Sequence, residues 1–369
     1  MRIGVPKERK QGEDRVALTP AGAHALVQAG HSVTMESEAG LLSGFCDAEY
    51  TRAGARIGDW ESCWQSDLVV KVKEPADSEI PFFRKGLLLF SYLHLAANRS
   101  LTTAMVSQGV TALAYETLQL SDGSLPLLIP MSEVAGRVAV QAGAHFLENA
   151  QGGSGILLGG VPGVPPGRVV IVGGGTVGTQ AARIASGMGA EVLLFDQNPV
   201  RLRFLDDLFG GRIRTAVVTP YYLEEELQRA DLAIGAVLVP GARAPKVLSR
   251  RMIQRMRRGS VVMDISIDQG GCIETVTHPT THDDPVFSVD GILHYAVTNI
   301  PAAVPRTSAF ALTNATLPWI LILASSGIAA AKTNPDLRSA INTIEGEVTC
   351  PGVAEAFGWK AADPEKILR

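Results

Sequence analysis

Apolar and polar positions alternate along the first half of the chain in blocks that predict strands separated by helices. Five short apolar runs predict strands, at Arg2–Val5 and at residues 31–36, 68–73, 87–92 and 110–115. Thr19 and Pro20 open an apolar stretch that Gly30 closes, which predicts a helix with a threonine N-cap and proline at its first position. Strands that alternate with helices indicate a parallel sheet.

The same alternation continues in the second half of the chain. Apolar runs predict strands at residues 169–172, before Asp196, and at 213–218, 232–235, 260–265 and 292–297. That makes about six strands, the number in a complete dinucleotide-binding domain. Residues 132–149 form the longest helical pattern, and we expect Ser132 to be its N-cap. A glycine- and proline-rich loop, residues 152–167, follows it.

The run at residues 169–172 leads directly into a glycine-rich turn, Gly173-x-Gly175-x-x-Gly178, and then into a helical stretch. Gly173 permits the turn, Gly175 lets the backbone approach a pyrophosphate, and Gly178 lets the helix lie close to the strand. The N–H groups at the start of that helix suit a phosphate. This strand, turn and helix therefore predict a dinucleotide site.

Asp196 ends the second strand of this unit, roughly 20 residues after the first glycine. A carboxylate there accepts hydrogen bonds from the ribose hydroxyls of the adenosine and repels a 2′-phosphate. We therefore expect NAD rather than NADP. Arg201 and Arg203 follow, and either lies near the adenosine, which keeps NADP open, or belongs to a solvated helix face.

The tail after residue 305 carries one apolar helix and no strand signal that could start another domain. It is too small for its own core, so we expect it to pack on the first domain. The sequence thus predicts an α/β protein with two Rossmann-like domains and parallel sheets. The substrate domain is discontinuous, residues 1–128 and 306–369, and the NAD-binding domain covers residues 129–305.

Composition excludes several classes of function. The net charge is −4, from 33 basic and 37 acidic residues without a basic block, so nucleic acid is not an expected partner. The cysteines lie far apart and predict reduced thiols, at positions 46, 63, 272 and 350. The N-terminus has no apolar export signal, and residues 309–324 are too short and too polar to span a bilayer. We expect a cytoplasmic protein.

Three polar residues follow apolar strands, where ligands bind in open α/β sheets: Lys73, His94 and Asp268. Each of the three also has a purely structural interpretation. A lysine at a strand end is often solvated, a histidine in an apolar context is often a hydrogen-bonded core residue, and an aspartate before glycines is often part of a turn. Together they form a charged, proton-transferring set beside a nicotinamide pocket. His278 and His282 have a metal-like spacing, but Pro279 breaks a helix there, so we expect loop residues and no metal site.

At this point a series of motifs, in order along nearly the whole chain, resembles alanine dehydrogenase: MRIGVPKE, EDRVALTP, KVKEP, HLAA, PLLIPMSEVAGR, GGVPGV, GGGTVG, IGAVLVPGA, DISIDQGG and ALTNATLPW. The resemblance implies NAD-dependent, reversible oxidative deamination of L-alanine to pyruvate and ammonium. It also implies two Rossmann-like domains with an active-site cleft between them, and usually a hexamer.

The resemblance assigns roles to residues of this chain. Arg15 and Lys73 match the substrate ligands, and His94 and Asp268 match the acid–base residues. The positions that match cofactor contacts are Ser132, Gly173, Gly175, Thr176, Val177, Gly178, Asp196, Arg201, Val237, Leu238, Ile265, Asp268, Val297, Thr298, Asn299 and Ile300. The chain departs from the family pattern at three places: Gly174 replaces an alanine, Arg201 replaces a lysine, and HPTTH replaces an arginine-containing loop.

Two other functions remain open at this stage. Relatives that resemble this chain act on saccharopine or form carboxyethyl-amino acids from pyruvate, and they need room for a second, larger amino acid. A non-catalytic NAD-binding subunit, similar to the soluble part of proton-pumping transhydrogenase, would perform no amine chemistry. The joint presence of Lys73, His94 and Asp268 argues against that subunit.

Overall fold

The computed structural model describes residues 1–237 and 243–368, which form two compact units. The first unit contains Met1–Met131 and the chain from Val304 onward, and the second contains Ser132–Ala303. Each unit has its own mostly parallel sheet with flanking helices, so the predicted α/β class is confirmed. Strands and helices are numbered along the whole chain.

The sheet of the first unit has eight strands in the order β15-β14-β6-β5-β4-β1-β2-β3. Its strands are β1 (Arg2–Val5), β2 (Ser32–Glu36), β3 (Arg56–Gly58), β4 (Leu68–Val70), β5 (Leu88–Ser91), β6 (Thr111–Ala114), β14 (Ile341–Ile344) and β15 (Glu347–Val348). The first six pair in parallel, whereas β14 runs antiparallel to both β6 and β15. The apolar runs of the first half therefore form the predicted parallel sheet, and β3 adds a strand that the pattern did not indicate.

The two strands of the tail, β14 and β15, were also not predicted, because polar residues interrupt the apolar pattern there. Asn342 and Thr343 are buried within β14. The Asn342 side-chain amide donates to Thr117 Oγ1 at 2.7 Å, and the Thr343 hydroxyl donates to the Val110 carbonyl at 2.9 Å. These hydrogen bonds offset the cost of burying polar groups and fix the tail on the sheet of the first unit.

The helices of the first unit are α1 (Pro20–Gln28), α2 (Asp47–Arg52), α3 (Trp60–Trp64), α4 (Arg99–Ser107), α10 (Pro305–Ser326), α11 (Pro335–Ser339), α12 (Pro351–Phe357) and α13 (Pro364–Leu368). Helix α1 begins as predicted, with Pro20 in its first turn and the Thr19 hydroxyl accepting from the Gly22 N–H. Helix α5 (Ile129–Phe146) includes the boundary between the units. It begins before Ser132, so the predicted serine N-cap is wrong: Ser132 lies inside the helix.

The sheet of the second unit has seven strands in the order β12-β13-β11-β10-β7-β8-β9. They are β7 (Arg168–Val172), β8 (Glu191–Asp196), β9 (Arg214–Val217), β10 (Leu232–Gly235), β11 (Val261–Asp264), β12 (Val286–Val289) and β13 (Ile292–Tyr295). The helices are α6 (Thr176–Gly187), α7 (Pro199–Phe209), α8 (Pro220–Leu227) and α9 (Arg250–Gln254). The predicted strands are present, and β12 is an additional antiparallel edge strand next to β13.

The segment that contains α10, Pro305–Lys332, has the length and composition of a membrane span, and its most apolar 18-residue window has a mean hydropathy of 1.4. The prediction that this stretch is too short to span a bilayer is therefore wrong. Within its most apolar window, 44% is buried, and Leu312, Ile320 and Leu323 are inaccessible to solvent. Core helices pass the same test of length and composition, so this segment is weak evidence for a span.

Candidate functional site

Lys73 and His94 lie side by side in the first unit. They follow β4 and β5, which pair in parallel with Val70 opposite Phe90, so both residues lie beyond the carboxyl edge of the sheet. Lys73 Nζ is 3.3 Å from His94 Nε2. The lysine is half-buried and the histidine is open to solvent on one side. The sheet register thus brings these two predicted site residues together.

Their contact changes the pKa of both side chains. Partial desolvation by the surrounding protein lowers the pKa of the His94 imidazole below its usual 6.5, and the Lys73 charge lowers it further, against the opposing charge of Glu116. Desolvation also lowers the pKa of the Lys73 ammonium, against the opposing charge of Glu74. The imidazole is therefore neutral near neutral pH, and it can accept a proton.

The backbone under Lys73 is fixed by a buried carboxylate, Glu8. Its carboxylate accepts the N–H groups of Val72 at 2.6 Å and Lys73 at 3.4 Å. The same carboxylate lies 3.2 Å from the buried ammonium of Lys71, which also pairs with Glu79 at 3.1 Å. The Lys71 ammonium is therefore paired with carboxylates in the interior, whereas the Lys73 ammonium lies beside His94. The sequence prediction did not include Glu8.

Arg15, the predicted ligand of the substrate carboxylate, is almost completely buried. Glu13 binds its guanidinium through two hydrogen bonds, from Nε at 2.6 Å and from Nη2 at 2.5 Å. The remaining Nη1 lies 3.0 Å from Met131 Sδ, a weak acceptor. Burial disfavours the charge, but the adjacent Glu13 carboxylate outweighs it and raises the pKa of Arg15. Glu13 thus fixes the orientation of the Arg15 guanidinium, and its Nη1 atom lies beside the thioether of Met131.

In the second unit the three glycines of the turn differ in their surroundings. A Cβ on Gly173, which has φ +107°, would lie 2.3 Å from the Ala236 carbonyl oxygen. A Cβ on Gly178 would lie 1.8 Å from the Gly173 oxygen, so α6 can pack against the turn only with glycine there. A Cβ on Gly175 would meet nothing within 4 Å. This open space in front of the α6 N-terminus, where Thr176 and Val177 begin the helix, fits a pyrophosphate.

Asp196 closes this turn from the end of β8. Its two carboxylate oxygens accept the N–H groups of Gly174 at 2.7 Å and Asn198 at 2.8 Å. Arg201 donates from Nε to the Gly174 carbonyl at 2.6 Å and from Nη2 to the Thr179 hydroxyl at 2.8 Å. Arg201 is thus bound to the glycine turn, whereas Arg203 belongs to the exposed face of α7.

Asp268 lies in a helical turn that follows β11. Its carboxylate is exposed and accepts the N–H of Asn299 at 3.3 Å. Two residues earlier, the Ser266 hydroxyl donates to the Val237 carbonyl at 2.7 Å and accepts its N–H at 3.1 Å. Asp268 therefore contacts Asn299 of the predicted segment Val297, Thr298, Asn299 and Ile300, and Ser266, which follows Ile265, contacts Val237. The predicted contact Leu238 lies outside the described residues.

The histidines of the HPTTH loop have separate partners. His278 stacks on Phe287 with ring centroids 4.6 Å apart, and His282 Nε2 lies 3.4 Å from the Asn299 carbonyl. Among the residues that the structure describes, no group of three or more histidines, cysteines or carboxylates could hold a metal ion. All four cysteines are free thiols.

Sequence reasoning missed three carboxylates that support the predicted site residues, Glu8, Glu13 and Glu116. Glu116 follows β6, and its carboxylate accepts the N–H groups of Leu93 and His94. The rule that selected Lys73 and His94, a polar residue just beyond an apolar strand, also selects Glu116. Glu8 and Glu13 lie in the polar loop after β1, where the sequence gives no signal that distinguishes them from solvated residues.

The comparisons with known proteins agree along the whole chain. Residues 4–135 match the N-terminal domain of the alanine dehydrogenase/PNT family, and residues 139–351 match its C-terminal domain. "Alanine dehydrogenase 2" of Staphylococcus aureus (strain USA300) is 54% identical over 371 residues, with all of both chains covered.

Solved structures give the same result. A structure titled "L-alanine dehydrogenase" is 49% identical and superimposes with a TM-score of 0.95, covering 97% of this chain and 99% of that one. A transhydrogenase from Sinorhizobium meliloti, 24% identical with a TM-score of 0.82 over 95% of this chain and 99% of that one, shares the fold. The resemblance seen in the sequence motifs is confirmed, and the chain belongs to the alanine dehydrogenase/PNT family.

Proposed function

We propose that this chain is an NAD-dependent alanine dehydrogenase. It converts L-alanine, NAD⁺ and water reversibly to pyruvate, ammonium, NADH and a proton. The observation that carries the proposal is the Lys73–His94 pair, with nitrogens 3.3 Å apart, in a chain that is 54% identical over its full length to an alanine dehydrogenase. A transhydrogenase-type subunit needs no such proton-transferring pair, and a likeness at 24% identity supports only the common fold.

Substrate binding is assigned to the two cations of the first unit. A guanidinium suits a carboxylate, so Arg15 holds the carboxylate of pyruvate or L-alanine, through the Nη1 edge that borders Met131. The Lys73 ammonium polarises the keto oxygen of pyruvate or the imine derived from it. Because Glu13 fixes the Arg15 guanidinium, that cation is oriented before the substrate arrives.

Proton transfer is assigned to His94 and Asp268. The neutral imidazole of His94 accepts a proton during oxidation of the amine and returns it during breakdown of the carbinolamine. The Asp268 carboxylate stabilises the cationic iminium and assists the transfer. Both assignments rest on the position of these residues just beyond strand ends, and on the family motifs that contain them.

The second unit is assigned to NAD. The glycine turn and the first turn of α6 hold its pyrophosphate, Asp196 holds the adenosine ribose, and Ser132, Arg201 and the segments around Val237, Ile265, Asp268 and Asn299 complete the site. When bound, NAD supplies the hydride acceptor, C4 of the nicotinamide. The protein contributes orientation and charge.

The proposal is tested by following NADH formation with a panel of amino acids, at saturating NAD⁺ or NADP⁺. We expect L-alanine with NAD⁺ to be the preferred combination. Turnover that requires saccharopine, or pyruvate consumption that requires a second large amino acid, would instead assign the chain to the opine or saccharopine dehydrogenases. NADH binding without turnover of any amino acid would support a non-catalytic subunit.

We propose further that the protein is a cytoplasmic homohexamer, with small-molecule substrates and no nucleic-acid or membrane partner. The family resemblance supports the hexamer. Sedimentation equilibrium of the purified chain gives the number of copies, and a mass other than that of six chains would contradict this assembly. Fractionation of cells that express the chain tests the compartment.

A further inference from the structure

His94 has a backbone conformation that is unfavourable for a residue with a Cβ atom. Its φ of 48° and ψ of 37° are left-handed, as in only four other non-glycine residues of the described chain. This conformation turns the chain sharply after β5 and places the ring over Tyr92, with centroids 6.3 Å apart, and beside Lys73. A strained residue persists only where its surroundings hold it.

The group that holds this turn is the carboxylate of Glu116. Its Oε1 accepts the N–H of His94 at 2.6 Å and that of Leu93 at 3.1 Å. Glu116 lies two residues beyond the end of β6, and Ala114 of β6 pairs with Ser91 of β5, so the sheet register sets the carboxylate opposite these two peptide groups. These two peptides are its hydrogen-bond partners in the described part of the chain.

We propose that Glu116 is the positioning residue for proton transfer: it holds His94 in the left-handed conformation and so directs the imidazole toward Lys73. The inference deepens the proposed function and rests on it, because it assumes that His94 transfers protons during turnover. Glu116 contacts the backbone of Leu93 and His94. Its effect is therefore on the geometry and charge of His94.

The charge of Glu116 gives this role a measurable signature. The other charged groups that act on the imidazole are Lys73, Glu74 and Lys10, and Glu74 pairs with Lys10 at 2.6 Å. Lys73 and Glu116 thus remain as the opposing charges beside His94. Since Glu116 raises the pKa of His94 against desolvation and Lys73, a neutral residue at position 116 should lower that pKa.

Two variants separate the hydrogen bonds of Glu116 from its charge. Glu116→Gln keeps an acceptor for the two N–H groups and removes the charge, so it should shift the His94 midpoint in the pH profile of kcat/KM to lower pH. Glu116→Ala removes both, and it should lower kcat about tenfold or more while NADH binding stays unchanged. Glu61→Gln, an exposed carboxylate of α3, is the matched control and should behave as wild type.

A second measurement does not depend on turnover. Diethyl pyrocarbonate modifies neutral imidazoles, so the pH dependence of His94 carbethoxylation, located by peptide mass, gives its pKa directly. We expect the same shift for Glu116→Gln. Wild-type kcat and an unshifted midpoint in both variants would overturn the inference. If the wild type does not turn over alanine, but Glu116→Gln still shifts the midpoint of His94 labelling, only the proposed function is overturned. If Glu116→Ala fails to fold, the isosteric Gln variant and the labelling still decide.

Discussion

At the scale of single residues, Lys73 Nζ and His94 Nε2 lie 3.3 Å apart, so a positive charge on one side chain disfavours a positive charge on the other. Desolvation, together with the Lys73 cation, disfavours the imidazolium form of His94, so the pKa of the histidine is lowered and the imidazole is neutral at neutral pH. In the proposed mechanism, alanine oxidation needs that neutral form as a base. The rate should therefore fall as the pH decreases through the His94 pKa, which lies below 6.5.

Lys73→Met tests this electrostatic coupling. Without the cation, the His94 pKa should rise, and the acid limb of the kcat/KM profile should move to higher pH. The KM for pyruvate should increase about tenfold or more, because a charged hydrogen bond to the substrate is lost. NADH fluorescence titration should give the wild-type affinity. An acid limb that stays in place would show that the two groups are not coupled.

We expect Asp196 to set the cofactor preference. A 2′-phosphate would meet a carboxylate that already accepts two backbone N–H groups. We expect the wild type to prefer NAD⁺ over NADP⁺ by about a hundredfold or more in kcat/KM, and Asp196→Ala to narrow that ratio. Asp196→Asn is the control for the backbone contacts, because the single side-chain oxygen of asparagine can still accept one of the two N–H groups while the charge is removed. Equal use of both cofactors by the wild type would contradict the role of Asp196.

At the scale of elements, the glycine turn has the strand, turn and helix conformation that the sequence predicted. Each glycine has a distinct steric reason, and those reasons appear in the structure as contacts of an added Cβ. The sequence also indicated that Lys73 and His94 follow strand ends, and the structure brings them together because residues beyond neighbouring parallel strands share an edge. It could not identify Glu13 as the partner of Arg15, because pairing within a loop leaves no periodic signal.

Two substitutions to alanine in the glycine turn separate its role in packing from its role in cofactor binding, and a third, in α6, is their control. Gly178→Ala should destabilise the second unit, since the Cβ would lie 1.8 Å from the Gly173 oxygen. Gly175→Ala should leave the melting temperature near that of wild type, because nothing lies within 4 Å, but it should weaken NADH binding at least about tenfold by obstructing the pyrophosphate.

Gly187→Ala, at the exposed end of α6, is the control for both. It should leave NADH binding unchanged and stabilise the protein by up to about 1 kcal/mol, since alanine is the better helix former. Melting curves and NADH titrations on the same preparations check all three variants. Normal NADH affinity in Gly175→Ala would show that the pyrophosphate does not lie against this turn.

At the scale of the whole molecule, each unit has its own sheet and its own buried core. The sequence predicted this organisation from strand counts and from the small size of the tail. It missed how the tail attaches, because β14 joins the sheet through buried polar residues that do not follow an apolar pattern. Val348, Val353 and Ala354 of the tail belong to the same core cluster as Leu89 and Leu101. The first unit is therefore complete only with residues from both ends of the chain.

Helix α10 belongs to the segment with the length and composition of a membrane span. If it is a core helix, a charge at buried Ile320 has no water and no partner, so Ile320→Asp should destabilise the protein by about 3 kcal/mol or more. Asn314→Asp, at an exposed position of the same helix, should melt within a few degrees of wild type. Thermal melting in detergent-free buffer measures both variants. An Ile320→Asp protein that melts like wild type, together with a wild type that needs detergent to stay in solution, would show that this face of α10 contacts lipid instead of the core.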